Sequence, residues 1–471
     1  MEQIDLVLAG AAQQARLVRE KVVSARELVE ATLRQIDALD PALNAYRVVL
    51  AETALEQAKQ FDSLPRPTST MALIGVPVAI KDDTDVAGEI TAWGSSAYGP
   101  PKEHDAEVVA RLRRAGAIIV GKTNVSELTA WPWTSSKSWD VTRNPWDVTR
   151  TPGGSSGGSA AAAATGMCGV ALGSDGAGSV RYPAALTGLV GFKPQRGRIP
   201  LGSQHADGWQ GLLAYGSLSR TVVDAALFLD ATSDPSMHRR SVEMLDSPAE
   251  RLRIAVSFGA PPGSMIRVSA ERRAAVEEMA ELLRSLGHQV IEREITYTRR
   301  AMRNATVRYF AGVHDDVASV EQPERLERTT RRLARLGGII PGFVVARSRR
   351  TETELAASIN EIFDHADVVL TPIAATAPPL ISGTTNLGVV RSLLASNNGA
   401  WAMPWNAIGQ PSITVPAGLD ANGLPLSVQL CGRRDDDETL LRVALQIESA
   451  RPWAHLRPPC VTEAVAGGLP I

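Results

Sequence analysis

Short apolar, β-branched runs alternate with amphipathic helical patterns along most of the chain, and this alternation restricts the fold more than any other feature. A strand buried on both faces reads as a continuous apolar run, and a helix between two such strands covers the sheet they share. Residues 76–80, 117–120, 169–172, 253–257 and 368–370 read as strands of this kind, with helices over 222–230 and 270–285. The expected class is therefore α/β and layered. The segment 106–128 gives helix, Gly turn, strand and a further helix, and Lys81 falls at the end of its strand.

Residues 24–58 repeat apolar side chains at three and four, which predicts two amphipathic helices broken near Pro41, the first opened by a Ser24/Glu27 capping box. These would cover the sheet. Residues 301–365 are largely helical in pattern and rich in arginine, and are expected to cover one side of a site as a lid. The last elements are the strands "PSITVPAG" and "LPLSVQLCG" and the helix "DDETLLRVALQIESA".

A net charge of −2 offers no general attraction for nucleic acid or anionic membrane. Cys168, Cys431 and Cys460 lie far apart without CxxC spacing, and no HExxH or histidine pair at ligand spacing occurs, so neither a metal nor a disulfide framework is expected. The start "MEQIDLVLAG" lacks the pattern of a signal peptide, and the run 160–172 is too short to span a bilayer, so a cytoplasmic location is expected.

The stretch "TPGGSSGGSA", residues 151–160, holds four glycines and three serines. As a linker it should have polar, low-complexity flanks. Instead two tryptophans precede it and an alanine-rich helix follows. Glycines feeding a helix N-terminus present backbone N–H groups to an anion or a developing oxyanion. A phosphate loop would end in Gly-Lys-Ser/Thr, which is absent. Residues 153–157 do fit G-x-S-x-G, the nucleophile elbow of α/β-hydrolases, but "DVTRTP" is a poor strand to carry an elbow. A second cluster, "LGSDGAGSVRYPAAL", runs a strand through a glycine turn into a helix that begins near Ser179. Alone, Ser179 would more often be a helix cap, and Lys81 a solvated charge.

Taken together, "GVPVAIKDD", "GKTNVSEL", "TRNPWDVTRTPGGSSGGSAAAAATG", "ALGSDGAGSVRYPAALTGLVGFKPQRGRIP", "GSLSRTVVDAALFLD" and "GQPSITVPAGLDANGLPLSVQLCGR" resemble the amidase signature family in order and spacing, to about residue 450. The resemblance implies one α/β/α layered domain over residues 1–471 with a large mixed sheet between helices: N-terminal helices to 65, a signature core over about 70–230, the helical region at about 296–365, and C-terminal strands and helix over 366–450. It also implies a Ser-cisSer-Lys triad of Ser179 as nucleophile, Ser155 as bridge and Lys81 as ultimate base, with a cis peptide between Gly154 and Ser155. A lysine serves as base only when burial lowers its pKa, and a hydroxyl can accept a proton from one side while donating to the other. Amides of Gly176, Ala177, Gly178 and Ser179 would form the oxyanion hole, with Asp175 and Arg181 as supports. The family usually has glycine where this chain has Ala177, which fits without strain only if φ there is negative.

The implied reaction is hydrolysis of a carboxylic amide to acid and ammonia or amine, with esterase or aryl-amidase side activity and no cofactor. Leu128 and Thr129 are the expected acyl-pocket wall, and Trp131, Trp133, Trp139 and Trp209 would suit it to aryl or medium-chain amides. The rival readings are the A subunit of a glutamine-dependent amidotransferase, an esterase using the elbow at 153–157, and an inactive binding relative, the last disfavoured by the presence of Lys81, Ser155 and Ser179. The expected partner is a small amide, with no nucleic acid and no membrane; amidases of this kind are often homodimers.

Overall fold

The computed structural model describes residues 3–64, 71–202, 208–234, 241–245, 250–264, 266–385 and 387–465. Thirteen strands occur among them in chain order: β1 Tyr46–Val49, β2 Pro77–Lys81, β3 Ile118–Thr123, β4 Ser135–Ser136, β5 Asp140–Val141, β6 Val170–Asp175, β7 Val190–Lys193, β8 Ala214–Ser219, β9 Arg253–Val256, β10 Gln289–Glu292, β11 Val368–Pro372, β12 Ser412–Leu419 and β13 Pro425–Gly432. β4 and β5 form a separate ribbon; the others make an 11-stranded mixed sheet in the order β1-β3-β2-β6-β8-β7-β12-β13-β11-β9-β10. β2 is parallel to both β3 and β6, whereas β8 runs antiparallel to β6 and β7.

Successive side chains of a strand face opposite sides of a sheet, and the two cores show it. Val78, Ile80, Val170 and Leu172 pack with helices Glu107–Arg114, Val222–Thr232, Ala270–Ser285 and Asp437–Ala450. Ala79, Ala171 and Val120 point the other way, onto helices Ala25–Leu43, Ala51–Asp62 and Gly157–Ala164. Small residues on this second face let the helix Gly157–Ala164, buried along its whole length, lie close to the sheet. The sheet is thus covered on both faces, as an α/β layered fold requires.

Two expectations are corrected. The two helices expected over 24–58 are separated just past Pro41, which sits in the last turn of the first, where a missing N–H removes a single hydrogen bond, but the strand β1 stands between them. Asn44 ends the first helix, in the left-handed region at φ 52°, and the Asp40 carboxylate then accepts the amides of Ala45 and Tyr46 to turn the chain into β1. A full helix does not follow β3: a single 3₁₀ turn, Glu127–Thr129, stands there, with Leu128 at φ 50° inside it.

The arginine-rich region forms helices Arg299–Ser319, Arg328–Gly338, Gly342–Arg350 and Glu352–Asn360. No described helix is long and apolar enough to cross a membrane.

Candidate active site

Because β2, β3 and β6 are parallel, their carboxyl ends open on one side of the sheet, the usual place for a site in such a fold. Lys81 ends β2 opposite Thr123 of β3, and Ser174 and Asp175 end β6. Lys81 is fully buried. Its Nζ lies 2.8 Å from Ser155 Oγ, 2.7 Å from Ser174 Oγ, 3.2 Å from the Ser174 carbonyl oxygen and 3.2 Å from Asp83 Oδ2. The Ser174 hydroxyl spends its one proton on Asp83 Oδ2, so it must accept from the lysine. Burial lowers the Lys81 pKa, and the charges of Asp83 and Asp175 oppose that shift in part.

Ser155 stands just ahead of the helix Gly157–Ala164, in a buried loop whose Gly154–Ser155 peptide is cis. Thr134 holds this loop, donating to the Gly153 carbonyl at 3.0 Å and accepting from the Gly157 amide at 3.0 Å. A Cβ on Gly154 would sit 2.7 Å from the Trp133 backbone, so only glycine fits there. Residues 151–153, ahead of the loop, have no regular structure, and the partner of Ser155 is a lysine, so the elbow reading of 153–157 is not supported.

The second serine loop is fixed by a buried ion pair. Asp175 accepts the amides of Gly178 at 2.7 Å and Val180 at 3.1 Å and the guanidinium of Arg181 at 2.9 Å through each oxygen. Arg181 in turn reaches Ser412, Gln429, Asn406 and the Ala402 carbonyl, tying the loop to β12 and β13. Burial would raise the Asp175 pKa, but the Arg181 charge and its hydrogen bonds overcome that and hold the carboxyl well below the usual range.

Ser179, only partly buried, lines a cavity of about 280 Å³ together with Gly154, Ala177 and Gly178. No hydrogen bond within 3.5 Å joins it to Ser155. The oxyanion set is corrected at one position. The Gly178 N–H is already given to Asp175; Ala177, Gly178 and Ser179 line the cavity, while Gly176 lies under the Trp209 ring. Ala177 is not among the residues with positive φ, so its side chain is accommodated; Gly178, at φ 121°, carries the left-handed turn instead.

Thr129, Trp131 and Trp209 line the cavity, whereas Leu128 does not. It packs instead with Ala97, Val320 and Leu326. Trp133 stacks behind Trp131 at 5.6 Å, and Trp139 lies elsewhere, in a groove with Asp37 and Arg143. Sequence reasoning missed Tyr182, Met302, Thr306, Tyr309, Phe310 and Met403 on the cavity wall, and Asp83, Ser174 and Asn406 behind it. Asp83 and Ser174 sit inside the quoted motifs, two residues after Lys81 and five before Ser179, which was the available signal.

The family model described as Amidase matches residues 27–441. A Mycobacterium tuberculosis protein provisionally named amidase AmiB2 is 47% identical over 460 residues, covering 97% of this chain and 99% of its own. Among solved structures, a 6-aminohexanoate cyclic dimer hydrolase complexed with substrate superposes with a TM-score of 0.88 at 29% identity, over 97% of this chain and 99% of that one. A bacterial aryl acylamidase superposes with a TM-score of 0.83 at 25% identity, over 98% and 99%.

Proposed function

The chain belongs to the amidase signature family and is a hydrolase of amide C–N bonds, and from that premise we propose that it acts through an acyl-Ser179 intermediate, with Lys81 as base and Ser155 as relay. The observation that carries this reading is the contact of 2.8 Å between the buried Lys81 Nζ and Ser155 Oγ, one loop behind a cavity whose wall holds Ser179. Neutral Lys81 takes the proton of Ser155 as Ser155 takes that of Ser179, and Ser179 Oγ attacks the amide carbonyl carbon. Apo sites often hold such hydrogen bonds open until substrate arrives; turning the Ser179 side chain toward Ser155 closes the chain.

The oxyanion that forms meets the amides of Ala177 and Ser179, and donors of this kind are worth about 3 kcal/mol each when removed singly. The proton returns from Lys81 through Ser155 to the leaving nitrogen, the C–N bond breaks, and water later releases the acid by the same relay. Asp83 and Ser174 anchor the Lys81 amine, so that its remaining valence faces Ser155.

The cavity wall favours an amide with an aromatic or bulky apolar group. Trp131, Trp209, Tyr182, Tyr309 and Phe310 supply large flat surfaces, with Met302 and Met403 between them. The bacterial aryl acylamidase named above is, as its name says, an enzyme of aryl acylamides. A panel of anilides and aliphatic amides, assayed with the wild-type protein and with Ser179→Ala, tests the reading: anilide hydrolysis that the substitution abolishes supports it, and hydrolysis that survives it refutes the role of Ser179. Faster turnover of acetamide than of benzamides would refute the aryl preference.

A further inference from the structure

Trp209 occupies an unusual position. Both it and Gln210 adopt left-handed backbone, at φ 50° and 53°, within the tight turn Gly208–Gly211. L-residues rarely take that conformation, and two in succession persist only when surrounding groups enforce them.

One face of the helix Arg299–Ser319 enforces them. Arg308 donates from Nε to the Gln210 carbonyl at 2.8 Å and from its terminal nitrogen to the Gly211 carbonyl at 2.7 Å. One turn on, Gly312 leaves room for the Trp209 main chain: a Cβ there would lie 2.7 Å from the Trp209 Cα. One turn further, Asp316 Oδ2 accepts the indole Nε1–H at 2.7 Å, while its neighbour Asp315 accepts the Gln210 amide nitrogen at 2.7 Å. Residues 308, 312 and 316 recur every four positions and so share a side of the helix.

Held this way, the indole spans the gap to the nucleophile loop. It covers Gly176, where a Cβ would lie 2.8 Å from the ring, and Tyr309 packs against it in a T-shaped pair at a centroid distance of 5.2 Å. The same helix also lines the cavity directly through Met302, Thr306, Tyr309 and Phe310. The ring is therefore a partition between the loop that carries Ser179 and the helical region, fixed by a hydrogen bond that none of the proposed chemical steps uses.

We propose that Trp209 sets the length of the apolar substrate group this site accepts, and that Asp316 is the positioning residue that holds the indole in place. This rests on the reading of the cavity as an amide-hydrolase site. The substrate class it selects is an amide whose apolar group ends at the indole, and longer chains are turned away by a rigid wall.

The test uses the full chain and two series of neutral substrates: p-nitroanilides of straight-chain acids from acetyl to decanoyl, and butanamides of straight-chain amines over the same lengths. Trp209→Ala is expected to move the optimum in one of the two series to longer chains, raising kcat/KM for the longer members about tenfold relative to the shorter. The change should fall mainly on KM. Trp209→Phe keeps a wall and should keep most of the wild-type order. Asp316→Leu should shift the order as Trp209→Ala does but less, while Asp316→Asn, whose side-chain oxygen still accepts the indole proton, should restore it. An active, folded Trp209→Ala enzyme with wild-type length order in both series overturns the role of Trp209, and equal behaviour of the Leu and Asn variants at 316 overturns that of Asp316. The Ser179→Ala control separates the two readings: if wild-type turnover survives it, the amide-hydrolase site itself is misassigned, whatever the length order shows.

Discussion

The Asp83 carboxylate lies 3.2 Å from Lys81 Nζ and is joined to the same amine a second time through the Ser174 hydroxyl. An ammonium at 81 is therefore stabilised by a fixed negative charge two residues away, against a burial that disfavours it. In the proposed mechanism Lys81 must be neutral to start, so kcat/KM should rise with pH through its pKa. Removing the charge with Asp83→Asn should lower that pKa further and move the acid limb of the profile down by about one pH unit or more. The maximal rate should fall as well, because the proton acceptor becomes weaker. A pH–rate profile of the two proteins on one anilide checks this, and an unmoved acid limb would show that another group titrates there.

The backbone at Ala177 already suits an alanine, since φ is not positive there and Gly178 takes the left-handed turn. Ala177→Gly should leave kcat/KM within about threefold, and should lower stability by roughly 0.5 to 1 kcal/mol through the freer unfolded chain. Steady-state kinetics and urea unfolding measure the two effects. A large gain in rate would mean that the alanine distorts the oxyanion loop.

Arg181 has no exposed surface and pairs with an equally buried Asp175 that organises the Ser179 loop. Replacing it by methionine leaves the carboxylate buried and uncompensated, a loss of roughly 3 to 5 kcal/mol. Denaturant unfolding should show that drop. A stability change below about 1 kcal/mol would place the loop's support elsewhere.

Glu127, in the 3₁₀ turn beside Thr129, accepts the Glu327 amide from the helical region through both carboxylate oxygens. Burial, reinforced by the charge of Glu327, pushes its pKa up to about 7 from 4.5. The folded state then holds more protons than the unfolded one between those values, so this group's contribution to stability falls as pH rises across that window. Glu127→Gln should match wild type at pH near 5 and raise the melting temperature by about 1 to 3 °C at pH near 8. Equal melting temperatures at both pH values would contradict the assignment.

Much of this arrangement is legible in the sequence because its signals are local. Continuous apolar runs locate β2, β3 and β6, and Ser155 and Ser179 follow from the resemblance to the amidase signature family that the glycine-serine loops help to carry. The strands β7, β8 and β10 were missed: "VGFK" and "AYGSLS" carry glycines and polar residues that a buried central position tolerates but a short pattern does not announce. Leu128 stands in the right motif, but its side chain packs into a core with Val320 and Leu326, partners about two hundred residues away that a local pattern does not show. The Gly178 amide departs from expectation because the Asp175 carboxylate that supports the loop takes that donor for itself. Tyr309, Phe310 and Asp316 belong to a helix more than a hundred residues from the serines, and only tertiary packing brings them to the cavity.

The most direct test of the proposed chemistry is mass spectrometry of the protein quenched in acid during turnover of a slow aryl ester or anilide, followed by peptide mapping. An acyl group on the peptide bearing Ser179, absent from Ser179→Ala and failing to accumulate in Lys81→Met, is the expected result. An acyl group found on Ser155 instead, or full turnover by the Ser179→Ala protein, would contradict the account.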